Sequence, residues 1–111
     1  MKNAMTLKWS PHARILLANV LNTVRIEVSS LDAARWKTKI DSHASRLATF
    51  PNLGTVIPVV CFQSIPANAD RLRQLICSPY RIVYESVGDE VHILSIRHAR
   101  MLVAENDTFW N

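Results

Sequence analysis

Apolar side chains recur at steps of three and four residues in the first quarter of the chain, the spacing of one face of an α-helix. The stripe lies within residues 11 to about 28 and consists of Ala13, Leu16, Leu17, Val20, Leu21 and Val24. Ser10 can cap the first free amides and Pro11 fits an opening turn, so we expect the helix to begin there. The run Leu7-Lys8-Trp9 before it predicts a short strand.

A second helix is predicted directly after the first. Ser29 followed by Asp32 has the pattern of a capping box. The apolar stripe of this helix follows the capping pattern and comprises Ala33, Trp36, Ile40, Ala44 and Leu47. The segment Phe50-Pro51-Asn52-Leu53-Gly54 supplies the proline and glycine that end a helix. Together the two segments predict an antiparallel helical hairpin.

A β-hairpin is predicted over Tyr80 to Arg100, because two β-branched and aromatic runs flank the pair Gly88-Asp89. Glycine supplies the positive φ that a two-residue turn requires. A regular ladder from this turn pairs Val87 with Glu90, Tyr84 with Ile93, Ile82 with Ser95 and Arg81 with Ile96. The expected core face carries Tyr80, Ile82, Tyr84, Val91 and Ile93. The opposite face carries Arg81, Val83, Glu85, His92, Leu94, Ile96 and His98.

Two further strands precede the hairpin. Residues 56–62 are rich in β-formers, but Pro58 lacks a donor and limits this strand to an edge or a bulge. Residues 71–77 predict the next strand, with Arg71 and Arg73 on one side. The order of one strand, two helices and four strands predicts an α+β fold with the helical hairpin on a curved, mainly antiparallel sheet. We expect a single domain over residues 1–111, with about 105–111 as a C-terminal tail.

The composition indicates the net charge of the protein and its expected cellular location. The 111 residues are 49% hydrophobic and 20% charged, with a net charge of +4 and a pI near 9.5. A basic protein favours nucleic acid, an acidic protein or an anionic surface as its partner. No run approaches the roughly 18 to 20 apolar residues that span a bilayer, and the N-terminus has no apolar export signal. We therefore expect a cytoplasmic protein without a membrane partner.

Cofactor chemistry has no sequence support. The four histidines lack ligand spacing, and two glycines cannot build a nucleotide-binding loop. We expect neither a metal nor another cofactor. Cys61 and Cys77 match no metal or redox motif, and we interpret both as core residues. A disulfide or a catalytic thiol remains the alternative.

Basic side chains concentrate in the C-terminal half. The candidate binding residues are Arg71, Arg73, Arg81, His92, Arg97, His98 and Arg100. Strand alternation places Arg81 and His98 on one side of the hairpin and Arg97 on the other. The alternatives are a binding surface and a sheet rim that carries solvated arginines. For Arg81 the structural alternative is an ion pair with Glu85 on the same face.

Several short motifs, in order along nearly the whole chain, match one family. They are Trp9-Ser10-Pro11-His12-Ala13-Arg14, the Pro51 to Gly54 break, Leu72-Arg73-Gln74-Leu75, Tyr80-Arg81-Ile82-Val83-Tyr84, and Ile93 to Arg100. With these motifs the chain resembles the RelE/ParE superfamily of bacterial type II toxin-antitoxin modules, in particular its ParE and plasmid-stabilisation branch. The resemblance implies a growth-inhibiting toxin that a cognate antitoxin holds inactive.

The resemblance leaves two targets open. ParE-like members are described as inhibitors of DNA gyrase, whereas RelE-like members cleave mRNA on the ribosome. In a ribonuclease, Arg81 would match the arginine that stabilises phosphate, and His92 or His98 could supply a base. The tail after Arg100 lacks the tyrosine or histidine of RelE-type enzymes. We therefore expect a non-enzymatic, ParE-like toxin, with an mRNA endonuclease and a silent partner module as the alternatives.

Overall fold

The computed structural model describes residues 4–111, so the first three residues of the predicted domain lie outside the described range. Its helices are α1 (Pro11–Glu27) and α2 (Ser30–Thr49). Its strands are β1 (Thr6–Trp9), β2 (Thr55–Val56), β3 (Arg73–Cys77), β4 (Tyr80–Val87) and β5 (Glu90–His98). Short 3-10 turns lie at Val59–Cys61, Ala69–Arg71 and Glu105–Asp107. No helix within residues 4–111 is long and apolar enough to cross a membrane.

The strands form one sheet in the order β1-β5-β4-β3-β2. β1 runs parallel to β5, and the other neighbours are antiparallel. Both predicted helix starts are confirmed, because the Oγ atoms of Ser10 and Ser29 accept from the amides of Ala13 and Asp32. The predicted α+β class is therefore confirmed, with one parallel pair in the sheet.

The main core lies between the helices and one face of the sheet. It contains Ala13 from α1, Ile40, Ala44 and Leu47 from α2, and the sheet residues Cys77, Ile82, Tyr84, Val91, Ile93 and Ile96. The predicted core face of the β-hairpin is confirmed for Ile82, Tyr84, Val91 and Ile93, with Tyr80 partly buried beside them, whereas the placement of Ile96 on the opposite face is wrong. The predicted stripe of α1 is less complete, because Leu16, Leu17, Val20 and Leu21 are only half-buried. Of that stripe, Ala13 and Val24 are buried.

A second, smaller core covers the other face of the sheet. Leu72, Val83 and Leu94 from the sheet side pack with Ile57, Phe62 and Val103. The segment after β5 reaches this face, where Val103 forms an isolated bridge with Phe62 and donates its amide to the carbonyl of Cys61. Both faces of the central strands are therefore covered by apolar side chains.

A bulge in β5 corrects the predicted hairpin register. The turn pairs Val87 with Glu90 as predicted, and the ladder is regular up to Tyr84 and Ile93. Leu94 is then an extra residue, and the ladder continues with Val83–Ser95, Ile82–Ile96, Arg81–Arg97 and Tyr80–His98. The predicted pairs Ile82–Ser95 and Arg81–Ile96 are wrong, because one added residue reverses the face of every position beyond it.

The bulge also exchanges the faces of the basic residues. Ile96 joins the main core, and Arg97 lies opposite Arg81 on the same side of the sheet. His98 lies opposite Tyr80 instead. The prediction that His98 shares the face of Arg81 and that Arg97 opposes it is therefore wrong.

The two strands before the hairpin are shorter than predicted. Residues 56–62 provide only the end of the edge strand β2, and a 3-10 turn follows Pro58. β3 begins at Arg73, because residues 69–71 form another 3-10 turn. Arg71 therefore precedes the strand and does not share a strand face with Arg73.

Candidate functional site

Arg81 lies in the middle of the covered sheet face and serves the structure. Its residue is 8% exposed. Its Nη1 donates to the carbonyl of Met101 and its Nη2 to the carbonyl of Ala99, each at 2.9 Å. The ion pair with Glu85, which was the structural alternative for Arg81, is not formed; Glu85 lies near Arg71 instead. The guanidinium instead holds the segment after β5 against the sheet.

Arg97 and His12 surround the buried carboxylate of Asp107 in a cluster that no sequence pattern predicts. The Asp107 carboxylate is fully buried. Arg97 Nε donates to its Oδ2 at 2.7 Å, and His12 Nε2 lies 2.8 Å from its Oδ1. The amide of Ala104 donates to Oδ2 at 3.1 Å. The cluster therefore joins β5, the start of α1 and the C-terminal segment.

The C-terminal segment has two further attachments. The carbonyl oxygen of Asn111 accepts from the amide of His12 at 2.7 Å. The ring of Trp110 lies 4.8 Å from that of His92. The predicted tail of residues 105–111 is thus packed along the sheet and the start of α1. Its sequence carries no hydrophobic periodicity that would have predicted this position.

The two candidate histidines of β5, His92 and His98, contact different partners. His92 Nε2 is 2.9 Å from Glu90 Oε1. Hydrogen bonds from Lys8 and then from His92 lower the pKa of the Glu90 carboxyl. His98 contacts Tyr80 edge to face with ring centroids 6.3 Å apart, and its Nδ1 accepts from the amide of Arg100. Each histidine therefore has a structural partner.

The remaining candidates lie apart from these. Arg73 donates from Nη1 to the carbonyl of Gly54, and Arg71 Nε is 4.0 Å from Glu85. Arg100 is exposed. The structure brings Arg81 and Arg97 onto one face, but the candidate binding residues do not form a single patch.

An open groove lies between α1 and the outer ends of β4 and β5. Its cavity volume is about 530 Å³. The lining side chains are Leu16, Asn19, Val20, Thr23 and Glu27 of α1, with Tyr80, Ile96, Arg97, His98 and Met101. Two candidate residues, Arg97 and His98, therefore border one apolar groove. The apolar spacing of α1 places Leu16 and Val20 in its stripe and does not predict the groove.

Neither the cysteines nor other possible metal ligands gather into a site among the described residues. Both thiols are free, with Cys77 buried and Cys61 half-buried. Burial raises the pKa of Cys77, which disfavours the nucleophilic thiolate. Within residues 4–111, no group of three or more histidine, cysteine or acidic side chains could hold a metal ion.

Two helices packed against a five-stranded mixed sheet are consistent with a ParE-like fold. The family model described as the ParE toxin of the type II toxin-antitoxin system, parDE, matches residues 7–103. The chain therefore belongs to the ParE toxin family.

A solved structure supports the fold independently. A chain of the chromosomal ParDE TA system from P. aeruginosa superposes with a TM-score of 0.67 at 20% sequence identity. The match covers 87% of this chain and 98% of that chain. At this identity the match shows a shared fold. No curated protein is significantly similar to the chain in sequence.

Proposed function

We propose that this ParE-family toxin inhibits a DNA-handling target such as gyrase by binding to it, and that a cognate antitoxin neutralises it. The observation that carries the proposal is the position of Arg81. Both of its Nη groups donate to backbone carbonyls under the segment after β5. Because the residue is also 8% exposed, its guanidinium is poorly placed to receive a scissile phosphate.

The other candidate for nuclease chemistry, His98, lies on the wrong strand face to act together with Arg81. A general base needs a free nitrogen within hydrogen-bond reach of the hydroxyl that it deprotonates. His98 uses Nδ1 to accept from the Arg100 amide and lies opposite Tyr80, on the strand face away from Arg81. The pair of residues that would act together in a ribonuclease is therefore separated by the sheet, which favours binding over RNA cleavage.

Exposed apolar side chains support protein partners. Ile26, Val28 and Leu31 at the tip of the helical hairpin are each more than 60% exposed. Phe109 and Trp110 in the C-terminal segment are close to half exposed. Clustered exposed apolar side chains are typical of interaction surfaces. The similar chain from P. aeruginosa belongs to a system titled ParDE, which supports an antitoxin as one partner.

Gyrase inhibition is tested directly with purified components. Induced expression without antitoxin should arrest growth, and purified toxin should inhibit DNA supercoiling by gyrase. Addition of the protein encoded by the adjacent reading frame should restore both. Normal supercoiling at saturating concentrations of folded toxin would exclude gyrase as the target.

The alternative targets give different results in the same cells. Primer extension on ribosome-bound message should show no new cleavage ends after induction. New ends that disappear in the variant Arg81→Ala would replace the proposal with an mRNA endonuclease. Growth without arrest, despite folded toxin, would indicate a silent module that retains only its partner.

A further inference from the structure

A second groove, here called the outer groove, lies where α1 and α2 run side by side on the exposed side of the helical hairpin. Its cavity volume is about 330 Å³. The lining residues are Ala18, Leu21, Asn22 and Arg25 of α1, with Ala33, Ala34 and Lys37 of α2. None of these residues belongs to either buried core or lines the groove between α1 and the ends of β4 and β5. The outer groove is therefore a separate surface on another side of α1.

The floor of the outer groove is apolar and built from small side chains. Ala18 and Ala34 are exposed, and Leu21 and Ala33 are half-buried. Small side chains let a third helix approach to the interaxial distance of about 8–10 Å that packed helices have. The backbone groups inside α1 and α2 are bonded within each helix, so a strand has no edge to join here. The outer groove therefore fits a helix.

The length of the outer groove matches the contact surface of an amphipathic helix. Seven residues separate Ala18 from Arg25, which corresponds to about 10 Å, or two helical turns. Apolar anchors at i, i+3 or i+4, and i+7 of a bound helix span the same distance. The exposed aliphatic residues Ile26 and Val28 follow Arg25 directly and extend the apolar surface to the tip of the hairpin.

Both edges of the outer groove are basic. Arg25 lies on the edge formed by α1 and Lys37 on the edge formed by α2, and none of the lining residues is acidic. Arg25 Nη2 donates to the neutral side chain of Asn22, and among the ion pairs of the described residues Arg25 has no carboxylate partner. Lys37 pairs with Asp41 at the exposed surface, where an ion pair contributes little.

These cations select the kind of partner that the outer groove can bind. Arg25 and Lys37 can each accept a carboxylate from another chain, so an acidic helix is complementary to both edges. A second copy of this chain packed groove to groove would place the same cations opposite one another, which is repulsive. The sheet face around Arg81 is covered by the segment after β5, whereas the outer groove is open.

We propose that the outer groove binds an acidic amphipathic helix of the protein that the toxin inhibits. The apolar side chains of that helix lie on the alanine floor, and its carboxylates face Arg25 and Lys37. The inference rests on the proposed function, because it takes the inhibited protein as the occupant. The apolar contacts supply most of the affinity, and the charges supply specificity and speed association.

A bulky side chain on the floor of the outer groove should block the bound helix. Ala34 is exposed and lines the groove, whereas Ser42 is an exposed residue of α2 that does not line it. Ala34→Trp should raise the toxin concentration that half-inhibits supercoiling by purified gyrase by at least about tenfold, as expected for one lost hot-spot contact. Ser42→Trp introduces the same side chain elsewhere and should leave that concentration within about twofold.

A second pair of variants tests the basic edge. Arg25 and Arg46 are the basic residues in the last turns of α1 and α2, and only Arg25 lines the outer groove. Arg25→Gln should weaken calorimetric binding to gyrase by up to about fivefold at low salt, the range of an exposed ion pair, and the loss should shrink as salt is added. Arg46→Gln removes the same charge from the equivalent helix position and should leave the affinity unchanged.

Circular dichroism of each free variant measures its folding. If Ala34→Trp does not fold, the comparison of Arg25→Gln with Arg46→Gln decides the question. The inference expects Ala34→Trp and Arg25→Gln to lose affinity for gyrase while both still bind the protein encoded by the adjacent reading frame.

Three other results would overturn the inference. If unmodified toxin inhibits gyrase and both groove variants inhibit it as well as their controls, the outer groove does not bind the target and the proposed function stands. If Ala34→Trp instead loses binding to the neighbouring protein, the groove belongs to the antitoxin. If unmodified toxin leaves supercoiling normal, gyrase is excluded as the target and this inference fails with it.

Discussion

At the scale of single residues, the most consequential side chain is the buried carboxylate of Asp107. It accepts from Arg97 and from the backbone of Ala104, and it contacts the His12 ring. A carboxylate away from water is stable only where cations and donors compensate its lost hydration. The Asp107 carboxylate is therefore stable only when α1 and β5 are both folded in place.

Asp107→Asn should destabilise the protein by roughly 3 kcal/mol, because it leaves the Arg97 guanidinium partly buried without its anion. Urea unfolding followed by circular dichroism measures the change. Glu105→Gln removes a carboxylate from an exposed position two residues earlier and should change stability by less than about 0.5 kcal/mol. Equal losses in the two variants would contradict the assigned role of Asp107.

At the scale of elements, the segment after β5 acts as a strap across the sheet. Arg81 holds its first part through the carbonyls of Ala99 and Met101. Val103 then fills the second core beside Phe62. The strap covers a sheet face that would otherwise expose Val83 and Leu94. An arginine that resembles a catalytic residue in sequence is thus a tether in the structure.

Arg81→Met should loosen the strap while keeping a side chain of similar length. It removes two charged hydrogen bonds to partly buried carbonyls, at a cost of roughly 1.5–3 kcal/mol for each. Hydrogen exchange should quicken at the Val103 amide, which donates to Cys61. Arg100→Met makes the same substitution at an exposed neighbour and should leave that exchange rate unchanged. Unchanged protection in Arg81→Met would refute the tether.

At the scale of the whole molecule, two apolar cores share the central strands. Ile93 belongs to the core under the helices and Leu94 to the core under the strap, although the residues are adjacent. Both are completely buried. The two cores pack on opposite faces of β4 and β5, so unfolding of these strands disrupts both cores. We therefore expect the domain to unfold as one cooperative unit.

Ile93→Ala and Leu94→Ala test this expectation as a matched pair. Each substitution should lower the free energy of unfolding by roughly 2–5 kcal/mol, because it deletes buried methyl and methylene groups and leaves a cavity. Tryptophan fluorescence and far-ultraviolet circular dichroism should report the same urea midpoint within each variant. Separate midpoints for the two probes in Leu94→Ala would show that the strap side melts independently.

Most of the architecture was predictable because it depends on local signals. Ser10 and Ser29 mark the helix starts, and Gly88, with a φ of 61°, supplies the turn of the hairpin. Pairing close to that turn was also correct, up to Tyr84 and Ile93. The superfamily was identified from short motifs, and the family match over residues 7–103 confirms it.

The arrangement of the candidate site residues was less predictable, because it depends on contacts between residues distant in sequence. No residue near Leu94 signals a bulge, yet the bulge decides that Arg97 joins Arg81 and that His98 leaves it. The packing of the strap against the sheet was not predicted, because its contacts with Arg81 and Phe62 join residues distant in sequence. The groove was missed because helical periodicity marks Leu16 and Val20 as apolar without showing how much of them the sheet covers.

The sequence by itself determined which elements form, their order and the family, since caps, turns and hydrophobic periods act over a few residues. Only the tertiary structure decided what the basic residues do. One extra residue in β5 sets their faces, and a strap some twenty residues along the chain from Arg81 takes up its donors. Hydrogen-bond partners and burial are properties of assembled surfaces, so the faces and partners of Arg81, Arg97 and His98 could be seen only in the tertiary structure.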